Sequence, residues 1–282
     1  MIKVLDRMKR YRLFSADFDS RATILKPIQE QWTEEVKALH RANQARIIEG
    51  LRREFGELNF DAKLQNFKDL GIKPFSVVAF HNRFYTQARS AFVSCEYYPA
   101  LTAIGALGER VLNHLVLRLR DNYKLSDSYR RIYRKHSFDN WEVAINALHE
   151  WGVLTTEAEG HFRELSRRRN AAIHFNPETE VNDRGLALEA LLLFGRIIET
   201  QFSWFGQLPW LFTTPGEVYI RKDWENSPFV KLVYLPNAIH VGYRNRVVHV
   251  MPWKVEDDYD YPQGEITDDE FIELRVGFQN VT

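Results

Sequence analysis

The sequence predicts a mainly α protein: a helical bundle with an N-terminal helical extension and a small C-terminal antiparallel β element. Three observations carry that reading. Apolar residues recur at helical spacing along most of the chain as far as Phe205, and the loops between these stretches are short. Beyond Gln207-Leu208-Pro209 the pattern changes to short runs rich in β-branched and aromatic residues.

Taken in order, residues 1–20 are basic, then mixed, and read as irregular or a short helix. From Pro27 to Phe55 the spacing of Ile28, Trp32, Val36 and Leu39, resumed by Ile47, Leu51 and Phe55, predicts one long helix with a charged outer face. A short helix starts at Asp61 and ends near Gly71, and Lys73-Pro74 marks a border. Helices are then expected over Phe75–Cys95 and Pro99–Asn122. The second is the most apolar in the chain, through Ile104, Leu107, Val111, Leu112, Leu115 and Leu119, and so belongs in the middle of the bundle. A basic connection leads to a helix over Asp139–Trp151 capped by Ser137. A further helix starts at Thr155 or Thr156 and runs to His174, and another spans Leu186–Phe205. Strands are expected at Glu217–Ile220, Val230–Tyr234 and Arg246–Val250, with Phe271–Val276 as a last strand. The resulting partition is an N-terminal helical region over 1–72, the bundle over 73–206 and a β-rich region over 207–282.

At 282 residues, with 45% hydrophobic and 27% charged residues, the chain is long enough for a sizeable buried core. Its formal net charge is zero, which argues against a protein that coats nucleic acid nonspecifically, since that binding needs many phosphate-neutralising cations. Cys95 is the only cysteine, which excludes an intrachain disulfide and a cysteine-based metal site; its neighbours Phe92 and Tyr98 suggest a buried, inert thiol. Met1-Ile2-Lys3-Val4-Leu5-Asp6-Arg7 offers no apolar signal core, and no apolar run spans a bilayer, so no membrane association and a cytoplasmic location are expected.

The segment with most chemical content is Arg169-Asn170-Ala171-Ala172-Ile173-His174. It closes an amphipathic run from Glu157 through Phe162 and Leu165, and a turn is expected at Asn176-Pro177. The pair therefore sits at a helix end, where side chains can meet a ligand. Arginine is a permanently charged fork suited to a phosphate, and histidine titrates near neutrality and can move a proton. The plainer reading of the same residues is an Arg169–carboxylate pair and a His174 that caps the helix C-terminus.

Arg169, Asn170 and His174, on a bundle helix preceded by an apolar helix carrying Glu109, resemble the HEPN family. Its signature is an arginine, often followed by Asn, and a histidine four to six residues further on. The resemblance covers roughly Lys73 to Gly206. It implies a HEPN-like helical bundle and a catalytic set of Arg169, His174, Asn170 and, by a looser match, Glu109. The implied reaction is metal-independent, cofactor-free endoribonuclease cleavage that leaves a 2′,3′-cyclic phosphate and a 5′-hydroxyl. It also implies a homodimer in which two motif helices form one composite site, and a setting in toxin–antitoxin or antiviral defence systems with an inhibitory protein partner. Some family toxins carry a modifiable tyrosine two residues after the histidine; here that position is Asn176.

For RNA binding, the candidates are Arg130, Arg131, Arg134 and Lys135, interleaved with Tyr129 and Tyr133, together with Arg168 on the motif helix. A solvated linker explains the same charge run. His114 reads as a core residue, His240 and His249 as strand residues without ligand spacing, and Trp204, Trp210 and Trp224 as core or interface filler. Two other functions fit the same residues. One is a non-catalytic helical interaction module, which would tolerate loss of His174. The other is a nucleotide- or phosphate-binding regulatory domain in which Arg169 contacts a phosphate without cleaving it.

Overall fold

The computed structural model describes residues 7–138, 140–173, 177–205, 208–250 and 253–281, and these are mostly helical. Strands β1 (Arg10–Leu13) and β2 (Asp17–Asp19) come first, then α1 (Arg21–Ile24), α2 (Glu34–Phe55) and α3 (Phe60–Leu70). Strand β3 (Lys73–Ser76) leads into α4 (Ala79–Val93), α5 (Tyr97–Leu119) and α6 (Tyr129–Ile132). Next are α7 (Trp141–Glu150), α8 (Thr156–Ile173), α9 (Pro177–Val181) and α10 (Asp183–Ile197), which continues as a π-helical turn over Ile198–Phe202. The rest comprises β4 (Leu211–Thr214), β5 (Glu217–Ile220), α11 (Pro228–Val233), β6 (Ala238–Val241), β7 (Arg246–Val250), β8 (Trp253–Glu256) and α12 (Asp268–Gln279).

The chain forms two compact units, Asp17–Phe202 and the combination of Met1–Ala16 with Ser203–Thr282. The border expected after residue 72 falls inside the first of these. There β3 pairs antiparallel with β2, and α3 packs on α4, so residues on either side of Lys73 share one core. The border expected after residue 206 lies close to Ser203.

In the helical unit, α5 has the central role its composition predicts. Leu101, Ile104, Leu107, Val111, Leu112, Leu115, Val116 and Leu119 are all buried, and α4, α7, α8 and α10 pack around it. Helix starts follow local capping chemistry. Thr33 Oγ1 accepts from Val36 N and glutamates occupy the first turn, so α2 begins at Glu34 and not at Pro27. Asn140, not Ser137, caps α7 by accepting from Glu142 N at 3.0 Å. Thr155 Oγ1 accepts from Ala158 N at 3.2 Å at the start of α8, as its sequence suggested. The helix expected from Phe75 begins only at Ala79, because Lys73–Ser76 are committed to the β2–β3 ribbon. Cys95 is half-buried, and its Sγ accepts from Asn66 Nδ2 at 3.4 Å.

The second unit is built on an antiparallel sheet in the order β4-β5-β1-β6, in which Arg12 faces Tyr219 and Arg10 faces Val241. Residues 10–13, expected to be irregular or helical, are thus an interior strand. Gly216, at φ +75°, makes the tight β4–β5 turn after Pro215, a conformation open to glycine without a Cβ penalty. Met8, Phe212, Tyr219, Val241, Tyr243 and Phe271 form the core beside this sheet. Trp210 is buried against Trp224, Phe229 and Tyr234, as filler.

Two expected strands are helices. Val230–Tyr234 lies mostly within α11, which Pro228 starts at a first-turn position where its missing N–H costs nothing. Phe271–Val276 lies within α12. Thr267 and Glu270 form a capping box there, and three acidic residues fill the first turn, so the local signals favour helix over the β propensity of the segment. Among the described residues no helix is long and apolar enough to cross a membrane.

Candidate active site

The site is made by two helices that approach closely because one of them lacks side chains at the crossing. On α5, a Cβ added to Gly105 would stand 2.7 Å from Arg169 Cγ, and one added to Gly108 would stand 2.4 Å from the Trp141 ring and 2.9 Å from Leu165 Cδ2. Glycine at both positions lets α8 and the start of α7 lie directly on α5. Trp141 and Leu165 are buried there, and Glu109, the next residue, faces Arg169.

Arg169 Nη2 donates to Glu109 Oε2 at 2.9 Å, and Trp141 Nε1 donates to the same oxygen at 3.4 Å. Arg169 Nη1 donates to Asn170 Oδ1 at 3.1 Å. Asn170 is exposed, while the Arg169 and Glu109 side chains retain 23% and 30% of their accessible surface, so the pair is reachable from solvent. Arg169 Nε has no hydrogen-bond partner among the described residues. The structure therefore brings together three of the four predicted catalytic residues. His174, the fourth, and Asn176 lie outside the described residues. Pro177, expected in a turn, is the first residue of α9. Sequence reading missed Trp141 and the two glycines; the Gly105–Gly108 spacing within an apolar helix was the available signal.

Other arginines of the motif helix are engaged in ion pairs. Arg168 pairs with Glu164 at 3.0 Å and with Glu189, Arg167 with Glu164 at 2.6 Å, and Arg163 with Glu142 and with Glu159 at 2.9 Å. Such half-exposed pairs stabilise little. The predicted RNA-binding residue Arg168 is thus neutralised by its own surface.

Arg130, Arg131, Arg134 and Lys135 are all exposed, and none makes an ion pair with a described residue. Arg120 Nη1 anchors the segment by donating to the carbonyls of Ile132 and Lys135. The Tyr129 and Tyr133 rings stack at 5.7 Å, and Arg134 lies 5.0 Å over Tyr133. Arg120, which anchors the cluster, follows Glu109 by eleven positions, about 16 Å along the path of α5 and the turn after it, so the cluster on and after α6 and the Arg169 pair on α8 are separate features of the unit.

Among the remaining histidines, His81 is buried edge-on to His114 at 4.9 Å. Burial pushes its imidazole down to about 3, with His114, Arg110 and Arg118 adding to the effect. His161 on α8 is lowered by burial and by Arg196. Among the described residues, no group of three or more His, Cys, Asp or Glu side chains converges as a metal would require. Compared with family models, curated proteins and solved structures, the chain has no match.

Proposed function

We propose that this protein is a HEPN-type endoribonuclease that cleaves RNA through its own side chains, without a catalytic metal. The observation that supports this reading most is Arg169, held by Glu109 of α5 with Asn170 beside it, at the exposed end of an otherwise well-packed helix. Glu109 takes one terminal nitrogen and fixes the guanidinium plane, and the other terminal nitrogen meets only the neutral Asn170 amide oxygen.

In this mechanism a neutral His174 removes the proton from a ribose 2′-hydroxyl. The 2′-oxygen attacks the adjacent phosphorus, the bond to the 5′-oxygen breaks, and the leaving oxygen takes up a proton. The products are a 2′,3′-cyclic phosphate and a 5′-hydroxyl. Arg169 holds the phosphate and offsets the negative charge that grows as phosphorus becomes five-coordinate. Asn170 keeps the arginine aligned. A homodimer that juxtaposes two motif helices would double both the phosphate clamp and the proton carriers, and cyclic two-fold pairs are the commonest soluble assembly. The exposed Arg130–Lys135 segment serves as the approach for single-stranded RNA, with Tyr129 and Tyr133 as a stacking platform.

The deciding experiment is cleavage of single-stranded RNA by purified protein in EDTA, with sequencing of the ends. Wild type should cut and leave cyclic phosphates, whereas Arg169→Ala and His174→Ala should not cut while keeping their helical content. Cleavage that stops with EDTA and returns with magnesium would overturn the mechanism. A second reading is favoured by one observation, the Arg169–Glu109 pair itself, which serves equally as a lock between α5 and α8 in a non-catalytic interaction module. Under that reading His174→Ala changes nothing measurable.

A further inference from the structure

Away from Arg169, the helical unit contains a cleft of about 410 Å³ between the β2–β3 ribbon and helices α2, α3 and α4. That volume lies within the range of small-molecule sites. Thr86, Arg89, Ser90 and Val93, spaced i, i+3, i+4 and i+7, line it from one face of α4.

Its charges are not all paired by contact. Lys73 is 5% exposed, and its Nζ donates to Asp17 and to Thr86 Oγ1. Asp19 is bonded by Arg21, which also reaches Glu54 at 2.6 Å. Each lining carboxylate is thus bonded directly by Lys73 or Arg21, with Arg21 shared between Asp19 and Glu54. Arg89 bonds none of them. It is 7% exposed, donates Nη2 to the Gly71 carbonyl at 2.7 Å and lies 5.7 Å over the Tyr85 ring, but no carboxylate of a described residue is in ion-pair range. Burial raises the Asp19 carboxyl, but hydrogen bonds from Arg21 and the charges of Arg21 and Arg89 more than offset this and hold it below its usual value. Arg89 therefore acts on Asp19 only at a distance. A buried guanidinium whose acceptors are neutral, the Gly71 carbonyl and the Tyr85 hydroxyl, and whose counter-charge is only the remote Asp19 is costly unless an anion completes it.

Apart from Ser20 and Ser90, the rest of the lining is aromatic and aliphatic. Phe18 stacks on Phe75 at 3.9 Å with 47% of its surface exposed, and Phe55 and Phe67 also line the cleft. We infer that this cleft binds a small aromatic anion, its phosphate or carboxylate paired with Arg89 and its ring packed among Phe18, Phe55 and Phe67. A purely ionic ligand leaves the aromatic wall unused, and a neutral ring leaves Arg89 without its counter-charge. This inference does not depend on ribonuclease activity.

The test is calorimetric titration of the full chain with phenyl phosphate, benzoate and adenosine 5′-monophosphate, against benzamide, adenosine and inorganic phosphate. One-to-one saturable binding of at least one aromatic anion is expected, with no binding of the neutral rings and weaker binding of inorganic phosphate. The phosphate and carboxylate arms identify which acid is preferred. Arg89→Gln should weaken the best ligand roughly 10- to 100-fold, the loss of one or two hydrogen bonds to a charged group, and Arg89→Lys should recover part of it. Because Arg89 is buried, Phe18→Ala at the rim provides a second variant, expected to reduce affinity for aromatic anions and to leave inorganic phosphate unchanged. The inference is overturned by absence of binding to every aromatic anion, by equal binding of benzamide or adenosine, by equal binding of inorganic phosphate, or by unchanged affinity in a folded Arg89→Gln.

Discussion

Each unit of the molecule places an arginine against a glutamate on a neighbouring element, and the two pairs are built differently. In the sheet unit, Arg275 of α12 donates Nε and Nη2 to the two carboxylate oxygens of Glu217 at 2.7 and 2.5 Å, and Nη1 to the Tyr243 and Asn245 carbonyls. Glu217 also receives the Tyr219 hydroxyl at 2.7 Å and the Arg12 guanidinium at 2.9 Å, and all of these groups are nearly or fully shielded from solvent. In the helical unit, Arg169 has one carboxylate oxygen and one amide as acceptors, a buried Nε with no acceptor among the described residues, and a side chain that keeps 23% of its accessible surface. A saturated buried pair is scaffold, because any change leaves an orphaned charge. A half-satisfied one at the surface retains capacity for a ligand.

The largest effect should come from the scaffold. Arg275→Met leaves Glu217 short of its main partner and should cost about 3–5 kcal/mol, read as a shift in urea midpoint. Arg169→Ala, by contrast, should cost about 0–1 kcal/mol while removing RNA cleavage. If both variants lost similar stability, the distinction between scaffold and site would fail.

Acid should separate the units next. His81 has its folded value depressed to about 3 from an ordinary 6.5. Its contribution to stability is therefore complete above pH 6.5 and is lost as pH falls toward 3, by about 1.4 kcal/mol per pH unit. The groups nearest it, His114, Arg110 and Arg118, all push the same way. Glu217 is raised by burial but more strongly lowered by Arg275, Tyr219 and Arg12, ending below its ordinary value. Its stabilisation is present above the ordinary carboxyl range and lost only as pH falls through the depressed one. Segment-resolved hydrogen exchange should show the helical unit loosening between pH 6 and 5 with the sheet unit unchanged, and His81→Phe should reduce that difference, leaving the smaller share of His114 and His161, whose values burial also lowers.

Packing at the α5–α8 crossing provides a finer test. Gly108→Ala drives a methyl into Trp141 and Leu165 and should cost about 1–3 kcal/mol. Gly105→Ala instead pushes on the base of the Arg169 side chain, so cleavage should fall more than thermal stability does. A parallel loss of both would make Arg169 an interhelical lock and nothing more.

The smallest effect concerns the exposed basic segment. Replacing Arg130, Arg131, Arg134 and Lys135 with glutamine should flatten the salt dependence of single-stranded RNA binding by about 0.7 in slope per lost phosphate contact, with turnover of bound RNA unchanged. An unaltered slope would make it a solvated connection.

What could be read from the sequence was local. The apolar period of α5, α7, α8 and α10 marked those helices, and Glu109 and Arg169 were singled out although sixty positions apart. The misread segments, Val230–Tyr234 and Phe271–Val276, have β-favouring side chains, but their starts are set by Pro228 and by the Thr267–Glu270 box. The cleft around Arg89 was not legible, because Asp17, Lys73 and Arg89 come from elements with no common period. His81 gave no sign of its burial, since a histidine on a helix looks the same whichever face it occupies.

The interior position of β1 has a consequence for biosynthesis. Leu13 pairs with Ala238, 225 positions later (238 − 13), and Arg10 in the same strand donates to Asp268. At about 5–20 residues per second, the ribosome delivers that partner on the order of ten to forty-five seconds after the strand itself. Throughout that interval the first strand is a translated segment awaiting a sheet, and the whole of Asp17–Phe202, the helical unit, is translated within it. The strand therefore stays without its sheet partners until translation has passed the helical unit.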